Sequence, residues 1–142
     1  MRVYLDSNVL ISFLRSEIDG AFNLRFSQTD EFFVFCRQKT VTLVLSDFFL
    51  FEVKKIVFLD KKGVEETFQR EGIPYEFVSD APTKKAGEIS WKTGIHYADA
   101  RHVANALESN CNAVVSWNIK DMKKARLLIS SFTPLEFVQN IP

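Results

Sequence analysis

Apolar residues fall along the chain in short blocks with two different periods. Val3-Tyr4-Leu5 is a compact apolar run that stops at Asp6-Ser7-Asn8, and Val9, Leu10, Phe13 and Leu14 then recur at helical spacing, predicting strand, turn and helix. From Ala21 to Gln38 the apolar positions Phe22, Phe26, Phe33 and Cys36 predict a second helix, although Phe32 and Phe35 blur its stripe. Val41–Leu45 is β-branched and apolar, as a buried strand should be. Ser46 then offers a hydroxyl to cap a helix over Asp47–Leu59. A further helix is predicted over Lys61–Arg70, ending at Gly72, then a strand over Tyr75–Val78. Pro82 suits the first turn of a helix that stops near Gly94. Tyr97–Glu108, with a stripe of small residues at Ala98, Val103, Ala104, Ala106 and Leu107, is the clearest helix, and Ala113–Ser116 is a further buried strand.

Short apolar strands alternating with helices predict an α/β fold. A parallel sheet needs helical crossovers and is buried on both faces, so the expected architecture is three layers, α/β/α, around a central, mainly parallel sheet. With no repeat, low-complexity stretch or Gly/Pro/Ser-rich linker, residues 1–142 read as one domain. In such sheets the functional crevice lies beyond the carboxyl ends of the strands.

Composition narrows the functional classes. The 18 basic and 18 acidic residues cancel, which argues against a domain that grips nucleic acid through a general positive field; any such binding must be local, weak or assisted by a metal. Cys36 and Cys111 show no metal-ligand spacing, which argues against a zinc site or a disulfide framework. No apolar run is long enough to span a bilayer and the first residues carry charge, so a cytoplasmic protein with no membrane partner is expected. The 14 phenylalanines cluster in Glu31–Phe35 and Asp47–Phe51, as core or as the interface of a homodimer rather than as a base-stacking platform.

Three acids stand where this layout brings strand ends and helix starts together: Asp6 after the first strand, Glu52 in the helix after the second, and Asp99 early in the small-residue helix. Carboxylates gathered at one place repel and are expensive to bury, and a divalent cation relieves both penalties; oxygen ligands of this hardness favour magnesium or manganese. Each acid alone has a plainer reading. Asp6 can serve as a helix cap, Glu52 as an exposed partner of Lys55, and Asp99 as part of a solvated face beside Arg101 and His102. His96 and His102 read first as solvated or core histidines, with His102 placed by helical spacing on the side of Asp99. The pairs Lys61-Lys62, Lys84-Lys85 and Lys123-Lys124 read as solvated helix faces.

Taken in order, four segments resemble the motifs of the PIN-domain family, metal-dependent ribonucleases that include the toxins of many toxin-antitoxin pairs, the VapC-like proteins among them. Val3-Tyr4-Leu5-Asp6-Ser7-Asn8 is similar to the first motif, and Ser46 with Glu52 to the second. Ala98-Asp99-Ala100, leading into Ala104 and Ala106, is similar to the third, and Val114-Val115-Ser116-Trp117-Asn118 to the fourth. Phe132-Thr133-Pro134-Leu135-Glu136-Phe137 resembles the usual ending of the family. The resemblance spans nearly the whole chain and implies a Mg2+- or Mn2+-dependent endoribonuclease acting on RNA, with an antitoxin protein as partner. It implies Asp6, Glu52 and Asp99 as catalytic residues and metal ligands, with Ser7, Asn8 and Ser116 orienting them. At the fourth motif Asn118 stands where many relatives carry an acid. Its carbonyl ligates without adding charge, and Asp121, three residues on, is the nearest acid, read equally as a surface residue. The neutral Asn118 and the zero net charge also admit a PIN-like RNA- or protein-binding module with weak or lost nuclease activity. A receiver-like signalling domain fits less well, since it calls for paired acids after the first strand and an Asp ending a middle strand.

Overall fold

The computed structural model describes residues 1–16 and 25–141. Five strands form an all-parallel sheet in the order β3-β2-β1-β4-β5: β1 Arg2–Leu5, β2 Thr42–Ser46, β3 Tyr75–Val78, β4 Ala113–Val115 and β5 Ser130–Phe132. Among the described residues eight α-helices connect and follow them: α1 Ser7–Leu14, α2 Arg25–Gln38, α3 Asp47–Val57, α4 Lys61–Glu71, α5 Thr83–Thr93, α6 Tyr97–Glu108, α7 Ile119–Met122 and α8 Pro134–Asn140, with a 3-10 turn at Lys123–Ala125.

Strand periodicity explains the layering. Side chains alternate across a sheet, so Val3, Leu5, Leu43, Leu45, Ala113 and Val115 enter one core, with Val9, Leu10, Phe33, Phe49, Phe68 and Phe137 from α1, α2, α3, α4 and α8. The intervening residues Tyr4, Val44 and Val114 enter the other, against Ala86, Ile89, Val103, Ala104, Ala106 and Met122 from α5, α6 and α7. Both faces of the sheet are therefore covered, and the three-layer α/β/α architecture read from the sequence is the one observed. Among the described residues no helix is long and apolar enough to cross a membrane.

Several boundaries differ for physical reasons. α3 stops at Val57 because Phe58 takes a left-handed backbone, φ 59°, and closes the helix, so Leu59 lies outside it. β2 runs one residue past Leu45 to include Ser46, and β4 ends at Val115, before Ser116. The expected start of the second helix at Ala21, and Phe22 with it, lies outside the described residues; within them Phe32, Phe33 and Cys36 are buried while Phe26 faces outward. β5 has no forerunner in the hydropathy pattern: Ser130-Ser131-Phe132 is a short, half-exposed edge strand recruited by pairing with β4. Of the phenylalanine clusters, Phe32, Phe33, Phe48 and Phe49 are buried and Phe51 is exposed. Both cysteines are free thiols, and burial pushes that of Cys111 up to about 11.

This topology sets the site. The chain leaves β1 toward β2 and β3 on one side and returns to place β4 and β5 on the other, so the strand order reverses between β1 and β4. Loops diverge beyond the carboxyl ends of such strands and leave a crevice. Asp6 follows β1 there, and Ser116 follows β4.

Candidate metal centre

Asp6 is fixed twice over. Its backbone N–H donates to the Val115 carbonyl at 3.0 Å, extending the β1–β4 pairing, and its carboxylate caps α1 by accepting from Asn8 N–H at 3.1 Å through Oδ1. Oδ2 accepts from Ser116 Oγ at 2.8 Å, and Asn8 Nδ2 donates in turn to Ser116 Oγ at 3.2 Å. The carboxylate is 4% exposed, so its orientation is imposed by these donors rather than by water. The capping reading and the ligand reading of Asp6 are thus compatible, because the cap holds the oxygens toward the crevice.

Glu52 reaches the same place from α3. Ser46, the N-cap of that helix, accepts from Phe49 N–H at 3.0 Å, and this start sets the face on which Glu52 falls. Glu52 Oε1 accepts from Ser7 Oγ at 2.7 Å and lies 2.7 Å from His102 Nε2, which is also 3.5 Å from Asp6 Oδ1. Asp6, Glu52 and His102 each offer a ligand atom within 4.8 Å of the others. Asp99 lies in the first turn of α6 and lines the same cavity, of about 270 Å³, but its Oδ2 is held by Asn118 Nδ2 at 2.8 Å. The expected grouping is therefore redistributed. His102 completes the tight set with Asp6 and Glu52, while Asp99 and Asn118 pair on its flank and Asn118 presents an amide donor to Asp99. Asp121 is not in that cavity's lining and pairs with Lys124 at 3.3 Å, but it lies beside Asn118 and its charge acts on Asp99.

His102, which the sequence placed on the side of Asp99 but favoured as a solvated or core histidine, joins the cluster. It is 2% exposed, as a core histidine should be, yet its Nε2 points at two carboxylates. Behind it Nδ1 lies 2.6 Å from Tyr4 Oη, which lies 2.6 Å from Ser46 Oγ, so a buried hydrogen-bonded chain runs from the cap of α3 to the imidazole. A second network holds α3 against α6: Asp80 accepts from Phe48 N–H, Asn105 Nδ2 and Arg101 Nη2, and the Arg101 guanidinium stacks 3.9 Å over the Phe48 ring. Asp80 and Asn105 belong to no segment singled out from the sequence for chemistry, Tyr4 and Arg101 entered only as neighbours of the acids, and the 3.6-residue periodicity of α6 carries no record of what packs opposite it.

The electrostatics follow from the crowding. Burial opposes charge on His102, but the carboxylates of Asp6, Glu52 and Asp99 outweigh it and hold the imidazole above its ordinary pKa. Burial likewise pushes Glu52 upward. The hydrogen bond and charge of His102, the Ser7 hydroxyl and the Arg101 charge prevail and leave it lowered. Asp99 is raised by burial and by the charge of Asp6, which the hydrogen bond from Asn118 only partly offsets. The cluster therefore carries negative charge that its own hydrogen bonds do not fully compensate. Convergent oxygens plus one imidazole nitrogen form a donor set that fits a divalent cation.

No protein-family model and no curated protein sequence matches the chain. Its fold is shared with solved structures. A chain of FitAB bound to an IR36 DNA fragment superposes with a TM-score of 0.62 at 20% identity, covering 94% of this chain and 95% of that one. PAE2754 from Pyrobaculum aerophilum superposes with a TM-score of 0.53 at 11% identity, covering 97% and 95%. At these identities the likeness defines the fold alone, a three-layer α/β/α domain around an all-parallel sheet.

Proposed function

We propose that the protein is a metal-dependent endoribonuclease of PIN type that works as the toxin of a toxin-antitoxin pair. The observation that carries this reading is the convergence of Asp6, Glu52 and His102, with Asp99 beside them, in one cleft at the carboxyl end of the parallel sheet. Asp6 and Glu52 would hold Mg2+ or Mn2+, with His102 as a nitrogen donor and Asp99 facing the ion across the cleft. Bound there, the ion supplies a water of lowered pKa and charge stabilisation for the attacked phosphodiester. Ser116, Asn8 and Ser7 keep the carboxylate oxygens aimed into the cleft. Glu52 Oε1 already accepts from Ser7 and faces His102, which supports Asp99, steadied through Oδ2 by Asn118, as the carboxylate that would accept a proton from the attacking water. RNA as substrate, an antitoxin covering the cleft, a homodimer in solution and a cytoplasmic location are parts of this same reading. They rest on the sequence resemblance and on the fold shared with a chain of FitAB.

The 2.7 Å contact between His102 and Glu52 favours a second reading, a PIN-like binding module with weak or lost nuclease activity, because a protonated imidazole there occupies the place of a cation. Incubation of the purified protein with end-labelled single-stranded RNA, with manganese or with chelator, separates the two. Cutting that requires the metal and disappears in Asp6→Asn supports the enzyme; RNA binding with no cutting at any manganese concentration overturns it in favour of the module.

A further inference from the structure

Arg25 opens α2 and lines the same cleft as Asp6, Glu52 and Asp99, yet it is not one of the residues the nuclease reading uses. Its guanidinium carbon sits 5.1 Å over the Trp117 ring, within cation–π range of the indole face. Trp117 is tied to the metal-centre loop: its backbone N–H donates to Asn8 Oδ1 at 3.1 Å, and Asn8 Nδ2 donates to Ser116, which donates to Asp6. The platform under Arg25 is thus positioned by the same hydrogen bonds that orient Asp6.

Other arginines have their donors occupied: Arg2 pairs with Glu76, Arg37 donates to the Glu71 carbonyl and Arg101 to Asp80. Arg25 differs. Its Nε is buried and has no hydrogen-bond partner, and no carboxylate among the described residues pairs with it. A buried guanidinium donor left unmatched is costly, and a planar guanidinium matches a phosphate through two parallel hydrogen bonds. We infer that Arg25, held over Trp117, binds a phosphate of the RNA backbone and positions the strand over the carboxylate cluster. In a molecule whose formal charges sum to zero, such a local contact supplies attraction that a general field does not.

The inference rests on the nuclease reading, and its test keeps the two apart. Binding of a fluorescein-labelled single-stranded RNA is followed by anisotropy in calcium buffer at several salt concentrations, for the wild type, Arg25→Gln, Arg25→Lys and Trp117→Phe. Circular dichroism verifies folding, and calorimetric titration with Mn2+ is run in parallel. Expected are about tenfold weaker binding for Arg25→Gln and a salt slope flatter by about 0.7, one phosphate contact on a single strand. Arg25→Lys should fall between, and Mn2+ affinity should stay unchanged in both. Trp117→Phe, which keeps an aromatic face, should lose less than Arg25→Gln. Unchanged RNA affinity and slope in Arg25→Gln overturn the inference alone. Parallel loss of Mn2+ affinity overturns it too, because Arg25 then merely supports the cluster. So does equal displacement of the RNA by a Glu-rich peptide, which assigns the arginine to a protein carboxylate. A wild type that binds no RNA overturns the nuclease reading and this inference with it.

Discussion

A single hydroxyl connects the sheet to the candidate metal centre. Tyr4 Oη lies between Ser46 and His102 in a fully buried position, and burial, well ahead of its hydrogen bonds, drives the phenol pKa far above its ordinary value, so it stays neutral and serves as both donor and acceptor. Tyr4→Phe leaves His102 Nδ1 without its buried partner and takes one of two from Ser46 Oγ, which keeps its bond from Phe49 N–H, and should destabilise the protein by about 1–3 kcal/mol, measured by urea unfolding. It also removes the group that orients the imidazole, and Mn2+ affinity by calorimetry should fall about tenfold to a hundredfold. Retention of both properties would show the chain to be incidental. The pair in front of Tyr4 has its own pH signature in metal-free buffer. The His102 pKa is raised in the folded state, so its contribution is complete below about 6.5 and fades as pH rises through the folded value. The Glu52 pKa is lowered, so its contribution is complete above about 4.5 and fades as pH falls through the folded value. The pair therefore stabilises most between about pH 4.5 and 6.5. With EDTA present, the urea midpoint should be higher at pH 6 than at pH 8.5, and His102→Gln should shrink that difference.

At the scale of elements, the pieces that place the cluster differ in how visibly the chain declares them. The strand–Asp–Ser–Asn turn at Asp6 and the Ser46 cap are legible because local chemistry creates them: an apolar run, a side-chain acceptor and a helical stripe follow in order. Glu52 and Asp99 were legible as acids near strand ends. His102 was legible only as a solvated or core histidine on the side of Asp99, since its role depends on α6 packing across α3, a contact fixed by Asp80 from the β3–α5 loop together with Arg101 and Asn105 of α6. β5 escaped for a related reason, as three residues paired only on the β4 side need little hydropathy signal of their own. α8 shows how a local device closes the fold. Thr133 Oγ1 accepts from Glu136 N–H at 3.1 Å while Glu136 Oε1 accepts from Thr133 N–H at 3.0 Å, a reciprocal cap that starts the helix carrying Phe137 into the core. Thr133→Ala should lower stability by about 0.5–2 kcal/mol in chemical denaturation. Because α8 lies away from the cleft lining, RNA cutting at a temperature well below the midpoint should be unchanged.

At the scale of the whole molecule, zero formal charge constrains how a polyanion is held. A basic surface would contact many phosphates, release many counterions and give a steep salt dependence. Here the arginines lining the candidate cleft are Arg15 and Arg25, set against Asp6, Glu52 and Asp99. Arg25 contacting one phosphate of a single strand implies a slope of about −0.7 in log affinity against log salt. Attraction of RNA should then depend more on the divalent ion than on monovalent salt, since neutralising the carboxylates removes the largest repulsion in the cleft. Titrating NaCl from low to physiological strength at fixed calcium should weaken binding only several-fold. Withdrawing the divalent ion at constant ionic strength should weaken it more. A slope several times steeper, unaffected by chelation, would place the RNA on a lysine-rich surface such as Lys61-Lys62 or Lys84-Lys85 and detach binding from the acid-and-histidine cluster altogether.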